Sequence, residues 1–410
     1  MAMAPPTDHV VGPARGADLL IPVDPPSGSQ LSAGSERVTA RVIRTPGDWN
    51  AIGADWDALF AASPQASPPL DFAWLQGWWR NYGPAYGTGL RIVTVWRGTR
   101  LVGALPLYED RPGGSALGIR RLRLLSTGEA EFEETCADYL NALCLPGEEK
   151  ACLEAMRDCL QRLDWDQLEL FALPEESPLL LDGALPGHAR TFLDGICPVA
   201  DLAGGFEAYL GRLSANGRQQ ARRLVREGER AGAAFEIVPT SDAVDAFDDL
   251  VRLHQLRWNA EGKPGVFAAP RFAAFHRDIA REWLPGGGAI LARLSLDGQS
   301  IAMLYGFITG SRFAFYQSGV RLDGAAPLRS PGNLAHLLLM RLLAEKGVTA
   351  YDFLRGVSDY KARLATRENR LVAVQVWRPT LRAATRRSVR LAAQVTRRGL
   401  RLLPQGEADK

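Results

Sequence analysis

Two glycine turns, at Gly98 and Gly298, constrain this chain more than any other feature. Gly98 separates the apolar runs of RIVTVWRGTRLVGALPLY, and Gly298 does the same in AILARLSLDGQSIAMLYGF. Apolar runs around a short glycine turn read as β-hairpins. GTRLVGALPL matches GQSIAMLYGF in pattern nearly position for position. Each hairpin then precedes a strand, a helix of similar length and a strand opened by an aromatic–Asp pair, Trp165-Asp166 in one half and Tyr351-Asp352 in the other. An ordered series at nearly constant offset points to an internal duplication. The expected fold class is therefore α/β (α+β), with two tandem halves, each a mixed twisted sheet flanked by helices.

At 410 residues the chain exceeds one ordinary core, and roughly 100 to 200 residues per domain leaves two domains plus tails. Residues 1–36 are rich in Pro, Gly, Ala and Ser without periodicity, and read as a disordered tail. The first domain is expected over 37–188, the second over 189–379, and a basic tail or amphipathic helix over 380–410. In the first, a β-type run through Val38, Ala40, Val42 and Ile43 precedes a helix over 47–62 with Trp49, Ile52, Trp56 and Leu59. Asp71 stands as the N-cap of an aromatic helix containing Trp74, Trp78 and Trp79. A strand near Leu122 to Leu125, a helix over 148–163 and the buried strand WDQLELFAL complete this half. In the second, the strand AFEIVP is followed by helices over 242–260 and 270–284, the hairpin, and the strand FAFYQSGV. A leucine-rich helix over 331–346 stops at Gly347, and AYDFLRG and LVAVQVWRP supply the last two strands.

Composition excludes several classes. Hydrophobic residues at 46% and charged residues at 23% describe a globular chain. A formal net charge of +2 gives no global pull toward polyanions. No uncharged apolar run reaches about eighteen residues and no signal-peptide pattern opens the chain, so the expected location is cytoplasmic. The five cysteines, Cys136, Cys144, Cys152, Cys159 and Cys197, contain no CxxC pair and indicate neither a zinc site nor a disulfide framework. Cys152 and Cys159 read as buried small apolar residues of a helix. No metal is expected.

The densest chemical signal runs from Arg329 to Leu364, RSPGNLAHLLLMRLLAEKGVTAYDFLRGVSDYKARL. Ser330 is a good N-cap and Pro331 a good first helical residue, while Gly332 and Asn333 leave the first turn open. Such a start presents unpaired amides and the positive end of the helix dipole, which suit a pyrophosphate or a thioester oxygen; a well-made cap has the same sequence. After the next strand, Gly356 ends a run and Asp359, Tyr360 and Lys361 follow. Open α/β sheets place ligands at strand C-termini, and Tyr and Lys on such a loop can donate to a carbonyl, a leaving thiolate or a phosphate; the other reading is a charged surface turn.

The spacing of SPG, the leucine-rich helix, Gly347, YDFLRG and DYK resembles the GNAT acetyltransferases of the CelD-like type, of cellulose or exopolysaccharide biosynthesis, related to the FemAB peptidyltransferases. SPPLDFAWLQGWWRNYG at 67–83 is similar to their aromatic helix, RLSANGRQQARRLVREGERAG to their Arg-rich linker, and LHQLRWNAEGKPGVF at 253–267 to their central helix and loop. The resemblance covers about 40 to 378 and implies tandem GNAT-like domains. It implies acyl transfer from acetyl-CoA or another acyl-CoA to an amine or hydroxyl of a sugar, polysaccharide precursor or small molecule. Tyr360 and Lys361 are then closest to the chemistry, with Asp352 and Tyr316 lining the site. Ser330, Pro331, Gly332, Asn333 and Gly356 face the donor. Arg257 and Trp258 cap the acceptor pocket with Asp71 on the substrate side. His254, one turn before Trp258, is the titratable base, or else a partly buried helix histidine. The usual Q/RxxGxG/A loop is not reproduced by VRLDGAAPLRSPGNL, so a charged-tRNA donor, or a non-catalytic accessory role in exopolysaccharide synthesis, stays open.

Arg218, Arg222, Arg226 and Arg230 recur every four residues, a stripe for a phosphate-bearing partner or a solvated face. Arg382, Arg386, Arg387, Arg390, Arg397, Arg398 and Arg401, with interleaved Leu and Val, suit the anionic inner face of a membrane or a docking tail. No DNA partner is expected; tRNA belongs to the alternative donor.

Overall fold

Alternating apolar positions close into strands and 3.6-spaced ones into helices through most of the chain. The computed structural model describes residues 37–110, 119–321, 328–356 and 358–380. The expected tail over 1–36 and the arginines beyond residue 380 lie outside the described residues. In chain order the elements are β1 (Val38–Ile43), α1 (Pro46–Asn50), α2 (Gly53–Ala62), α3 (Phe72–Tyr86), β2 (Gly87–Leu90), β3 (Ile92–Arg97), β4 (Arg100–Leu105), β5 (Leu107–Asp110), β6 (Arg121–Leu124), β7 (Leu143–Cys144), α4 (Glu149–Arg162), β8 (Gln167–Pro174) and β9 (Ala189–Asp201). There follow α5 (Phe206–Arg212), α6 (Ala215–Arg230), β10 (Ala234–Ile237), α7 (Ala243–Ala260), α8 (Pro270–Gly286), β11 (Ala289–Leu296), β12 (Gln299–Thr309), β13 (Arg312–Val320), α9 (Pro331–Glu345), β14 (Ala350–Asp352), α10 (Asp359–Leu364) and β15 (Arg367–Trp377).

The chain packs as two units, which are not the contiguous halves expected from a division at 188/189. The N-terminal unit takes the described residues of 37–199, 268–279 and 353–380; the central unit takes 200–267 and those of 280–352. Strand pairing is the reason. β15 lies between β8 and β9, antiparallel to both, so the last strand among the described residues is held in the N-terminal unit.

In the N-terminal unit the Gly98 turn joins β3 to β4, and the pair continues as β2 and β5 beyond Arg91 and Pro106. Pro106 cannot donate to a ladder, so the hairpin bends there. One end joins the sheet β1-β3-β4-β7, and the other joins the strands ordered β9-β15-β8-β6-β5-β2. The core is aromatic: Trp49, Trp56, Trp74, Trp78 and Trp165 are fully buried. The helix expected over 47–62 is broken into α1 and α2, and a Cβ on Gly53 would meet the Phe72 ring at 3.1 Å. That glycine lets Phe72 close against Trp49, with centroids 5.7 Å apart. In α4, Cys152, Leu153, Met156, Cys159 and Leu160 form the buried stripe, as their spacing requires.

The central unit orders its strands β10-β11-β12-β13-β14, antiparallel except for β13 and β14. The parallel pair needs a crossover, and α9 supplies it. On α7, Phe247, Leu250, Leu253 and His254 fall on one buried face. A Cβ on Gly319 would lie 2.6 Å from Leu253 Cβ and 2.7 Å from the Leu250 carbonyl oxygen, so this glycine admits α7 against β13. The next residue, Val320, turns to the other face and approaches Gly332 in the first turn of α9. Helices α7 and α9 therefore cover opposite faces of this sheet.

Candidate functional site

In the central unit the candidate site lies at the C-terminal end of β13. The parallel ladder with β14 covers only Arg312–Ala314 against Ala350–Asp352, and β13 continues to Val320. A register shift opposite Tyr305 and Gly306 leaves Tyr316 as the extra residue of a β-bulge. Its ring packs on Phe307 and Tyr305, at 5.3 and 6.2 Å. Gly306 is required there, because a Cβ would run into the Ala314 carbonyl and the Phe313 ring.

Past the end of β13, α9 opens at Pro331, Gly332 and Asn333 as expected, but Ser330, expected to cap it, makes no side-chain cap bond. The first-turn amides thus keep the positive end of a 15-residue helix unmasked by their own cap. Gly332 keeps its turn close to β13, since a Cβ there would meet Val320 Cγ2 at 3.2 Å. One turn further on, His336 Nδ1 and Tyr351 Oη are 2.7 Å apart, which ties α9 to β14. Asp352 is fully buried, with Arg312 Nε at 4.0 Å.

On the opposite face, His254 is 2% exposed and sits 3.1 Å from Gln255 Oε1. Burial pushes its imidazole down to about 4, with Arg257 adding to the effect and Gln255 opposing it. The ring is therefore neutral at physiological pH. Phe267 and Trp258 flank it at 5.0 and 5.9 Å, and Lys263 Nζ stands 5.1 Å from the Trp258 ring centre. A cavity of about 730 Å³ opens between the C-terminal half of α7, the β11–β12 turn and the end of β13, with Arg257 among its lining.

The remaining expected residues belong to the N-terminal unit. Asp71 caps α3 by accepting from the amides of Ala73 and Trp74. Lys361 Nζ donates to the carbonyls of Phe353, Leu354 and Arg355 at 2.7, 3.3 and 3.1 Å. This commits its ammonium to holding the loop in which Leu354 has φ 57° and Gly356 has φ 101°. Tyr360 is half-buried, its ring 6.1 Å from Phe353.

Sequence reasoning missed a buried network in this unit. Arg355 donates from its amide and Nε to Asp138, at 2.6 and 2.9 Å, and from Nη1 to Asp194 at 3.3 Å. Asp194 also accepts from the Ala172 amide at 2.8 Å. Burial opposes the Arg355 charge, but Asp138 and Asp194 outweigh it and hold the guanidinium above its usual range. Four left-handed non-glycine residues, Cys136, Tyr139, Ala172 and Leu354, adjoin these side chains. Nearby in sequence, Glu129 is bound by Trp78 Nε1 and Thr135 Oγ1, and burial raises its carboxyl pKa. The cluster of acids in GEAEFEETCAD was the available signal.

Among the described residues no cluster of three or more His, Cys, Asp or Glu could hold a metal, and no helix is long and apolar enough to cross a membrane.

Residues 215–362, from the first turn of α6 into α10, match the acetyltransferase (GNAT) domain family. No curated protein matches the chain in sequence. Among solved structures it is similar to FemX, at 10% identity and TM-score 0.50, covering 78% of this chain and 95% of that one. It is also similar to L-PGS from Bacillus licheniformis, at 13% identity and TM-score 0.49, covering 88% and 99%. A tandem GNAT protein from the clavulanic acid biosynthesis pathway shares 16% identity at TM-score 0.39, covering 82% and 98%. The mixed α/β fold is that of FemX, and residues 215–362 match the model of the GNAT acetyltransferase domain.

Proposed function

We propose that the chain is an acyltransferase that moves an acyl group, acetyl foremost, from acyl-CoA to an amine or hydroxyl of a sugar, polysaccharide precursor or small molecule. The observation that carries this reading is the end of β13, where the strand runs past its short ladder with β14 to Val320 and meets the uncapped start of α9 inside the GNAT-matching segment. A thioester chain can lie along the part of β13 beyond the ladder, with phosphates at the amides of Gly332 and Asn333. Amide donors aimed at a developing oxyanion stabilise the transition state more than the ground state.

In the transfer, the acceptor nitrogen or oxygen bonds to the thioester carbon as the C–S bond breaks. The acceptor loses one proton and the thiolate gains one. His254, neutral at pH 7, is the base we assign, acting directly or through water. Tyr316 lines the acyl end, Arg257 and Trp258 the acceptor side.

A second reading keeps the chemistry and changes the donor to a charged tRNA. The exposed Arg222, Arg223, Arg226 and Arg230 of α6 support it, although Glu207 pairs with Arg222 and Glu227 with Arg223. A thermal-shift panel of acetyl-CoA, longer acyl-CoAs and charged tRNA separates the two. Stabilisation by acetyl-CoA alone is expected, together with acetyl transfer that falls at least tenfold in His254→Asn. A chain stabilised by neither donor is a non-catalytic accessory protein. Full activity in folded His254→Asn would remove that residue from the chemistry.

A further inference from the structure

Beyond its ladder with β14, one short stretch of β13 is less than fully buried. Tyr316, Gln317 and Ser318 are half-buried, with Phe313, Ala314 and Phe315 buried before them and Gly319 and Val320 buried after. The bulge sets Tyr316 at the end of this stretch nearer the ladder, and Val320 stands past its other end, beside Gly332 of α9. From Val320 back to Tyr316 is four residues of strand, about 13 Å, a span that the extended arm between the phosphates and the sulfur of an acyl-CoA also covers. Phosphates at the first turn of α9 therefore leave the acyl group at Tyr316. Behind Tyr316 the structure is filled with rings. Tyr305 and Phe307 alternate around Gly306 and share the α7 face of β12, where Phe247 meets Tyr305 at 5.2 Å. Phe307 is 2% exposed. Its ring lies 5.0 Å from Tyr305, 5.3 Å from Tyr316 and 5.3 Å from Trp283 of α8, the last standing edge-on at 89°. Edge-to-face rings at such separations touch and leave no void between them.

We infer that Tyr316, Phe307 and Trp283 set the length of the acyl group, closing its seat so that the donor is a short-chain acyl-CoA, acetyl or propionyl. The inference rests on the acyltransferase reading and deepens it by naming the residues that select the donor. Each further methylene has to displace packed ring rather than water, and a close-packed wall yields little. A ring that selects by volume differs from one that only packs in what its truncation admits. A void made at Tyr316 or Trp283, both half-buried, opens to the acyl terminus, and a longer chain fills it.

Isothermal titration calorimetry of the full chain with CoA, acetyl-CoA and hexanoyl-CoA tests this without an acceptor. Acetyl-CoA is expected to bind at least tenfold more tightly than hexanoyl-CoA. In Tyr316→Ala the ratio of hexanoyl-CoA to acetyl-CoA affinity should rise at least tenfold; should that variant fail to fold, Trp283→Leu carries the same test. Equal affinities for acetyl-CoA and hexanoyl-CoA in the native chain, or a ratio unchanged in a folded variant, overturn the acyl-length assignment and leave the acyl-CoA donor standing. Binding of none of the three compounds sinks the acyltransferase reading and the assignment with it.

Discussion

Asp138 accepts from both the backbone amide and the guanidinium of Arg355, across 217 positions of sequence, and its side chain is 1% exposed. The pair joins two segments that each carry a left-handed residue, Tyr139 beside Asp138 and Leu354 beside Arg355. Such backbone costs about 1 to 3 kcal/mol per residue and persists only where its surroundings over-determine it.

Removing one partner of a buried ion pair leaves the other uncompensated. Asp138→Ala should therefore lower the unfolding free energy by about 3 to 5 kcal/mol, read from urea denaturation. A loss below about 1 kcal/mol would mean that the surrounding contacts, rather than this pair, hold the strained loops.

Close approach of α7 to β13 depends on a missing side chain. Gly319→Ala would place a Cβ 2.8 Å from the His254 amide nitrogen, with backbone rather than a flexible side chain in the way. We expect a loss of about 1 to 3 kcal/mol and altered signals from the His254 ring. An unchanged melting temperature would contradict the packing.

Acid stability should carry the signature of His254. Its imidazole is held at about 4 in the fold against an ordinary 6.5, so above pH 6.5 it is neutral in both states. As pH falls from there, the unfolded chain takes the proton first. Stability present above the unfolded value is then lost down to the folded one, on the order of 3 kcal/mol in all. His276, pushed by burial to about 3, extends the same limb downward. Comparing urea midpoints at pH 7.5 and 5 should show a smaller drop in His254→Phe than in the native chain; equal drops would sink the assignment.

Lys361 should matter to the loop before it. Lys361→Met keeps the stem and removes the ammonium that three carbonyls share. A cost of about 1 to 3 kcal/mol is expected, with faster amide exchange confined to residues 353–361. Exchange unchanged there, with activity lost, would instead make the ammonium a group of the reaction.

Much of the central unit was legible because its elements are local. The Gly298 turn, FAFYQSGV and the SPG start of the leucine-rich helix emerge as β11–β12, β13 and α9. The α7 histidine and its aromatic neighbours follow from helical spacing. β9 was not legible: Gly195 and Pro198 interrupt its pattern, and its partner β15 lies far along the chain. The Arg355 network was equally hidden, because Asp138 sits in an acidic loop without periodicity.

The sequence alone determined the order of strands and helices, the two glycine-turned hairpins and the open first turn of α9, since each depends on residues within a few positions of one another. Only the tertiary structure decided that β15 completes the N-terminal unit, that Gly319 and Val320 present opposite faces to α7 and α9, and that Asp138 meets Arg355. Those choices depend on which distant surfaces exclude water together, and periodicity within a segment carries no record of its partner.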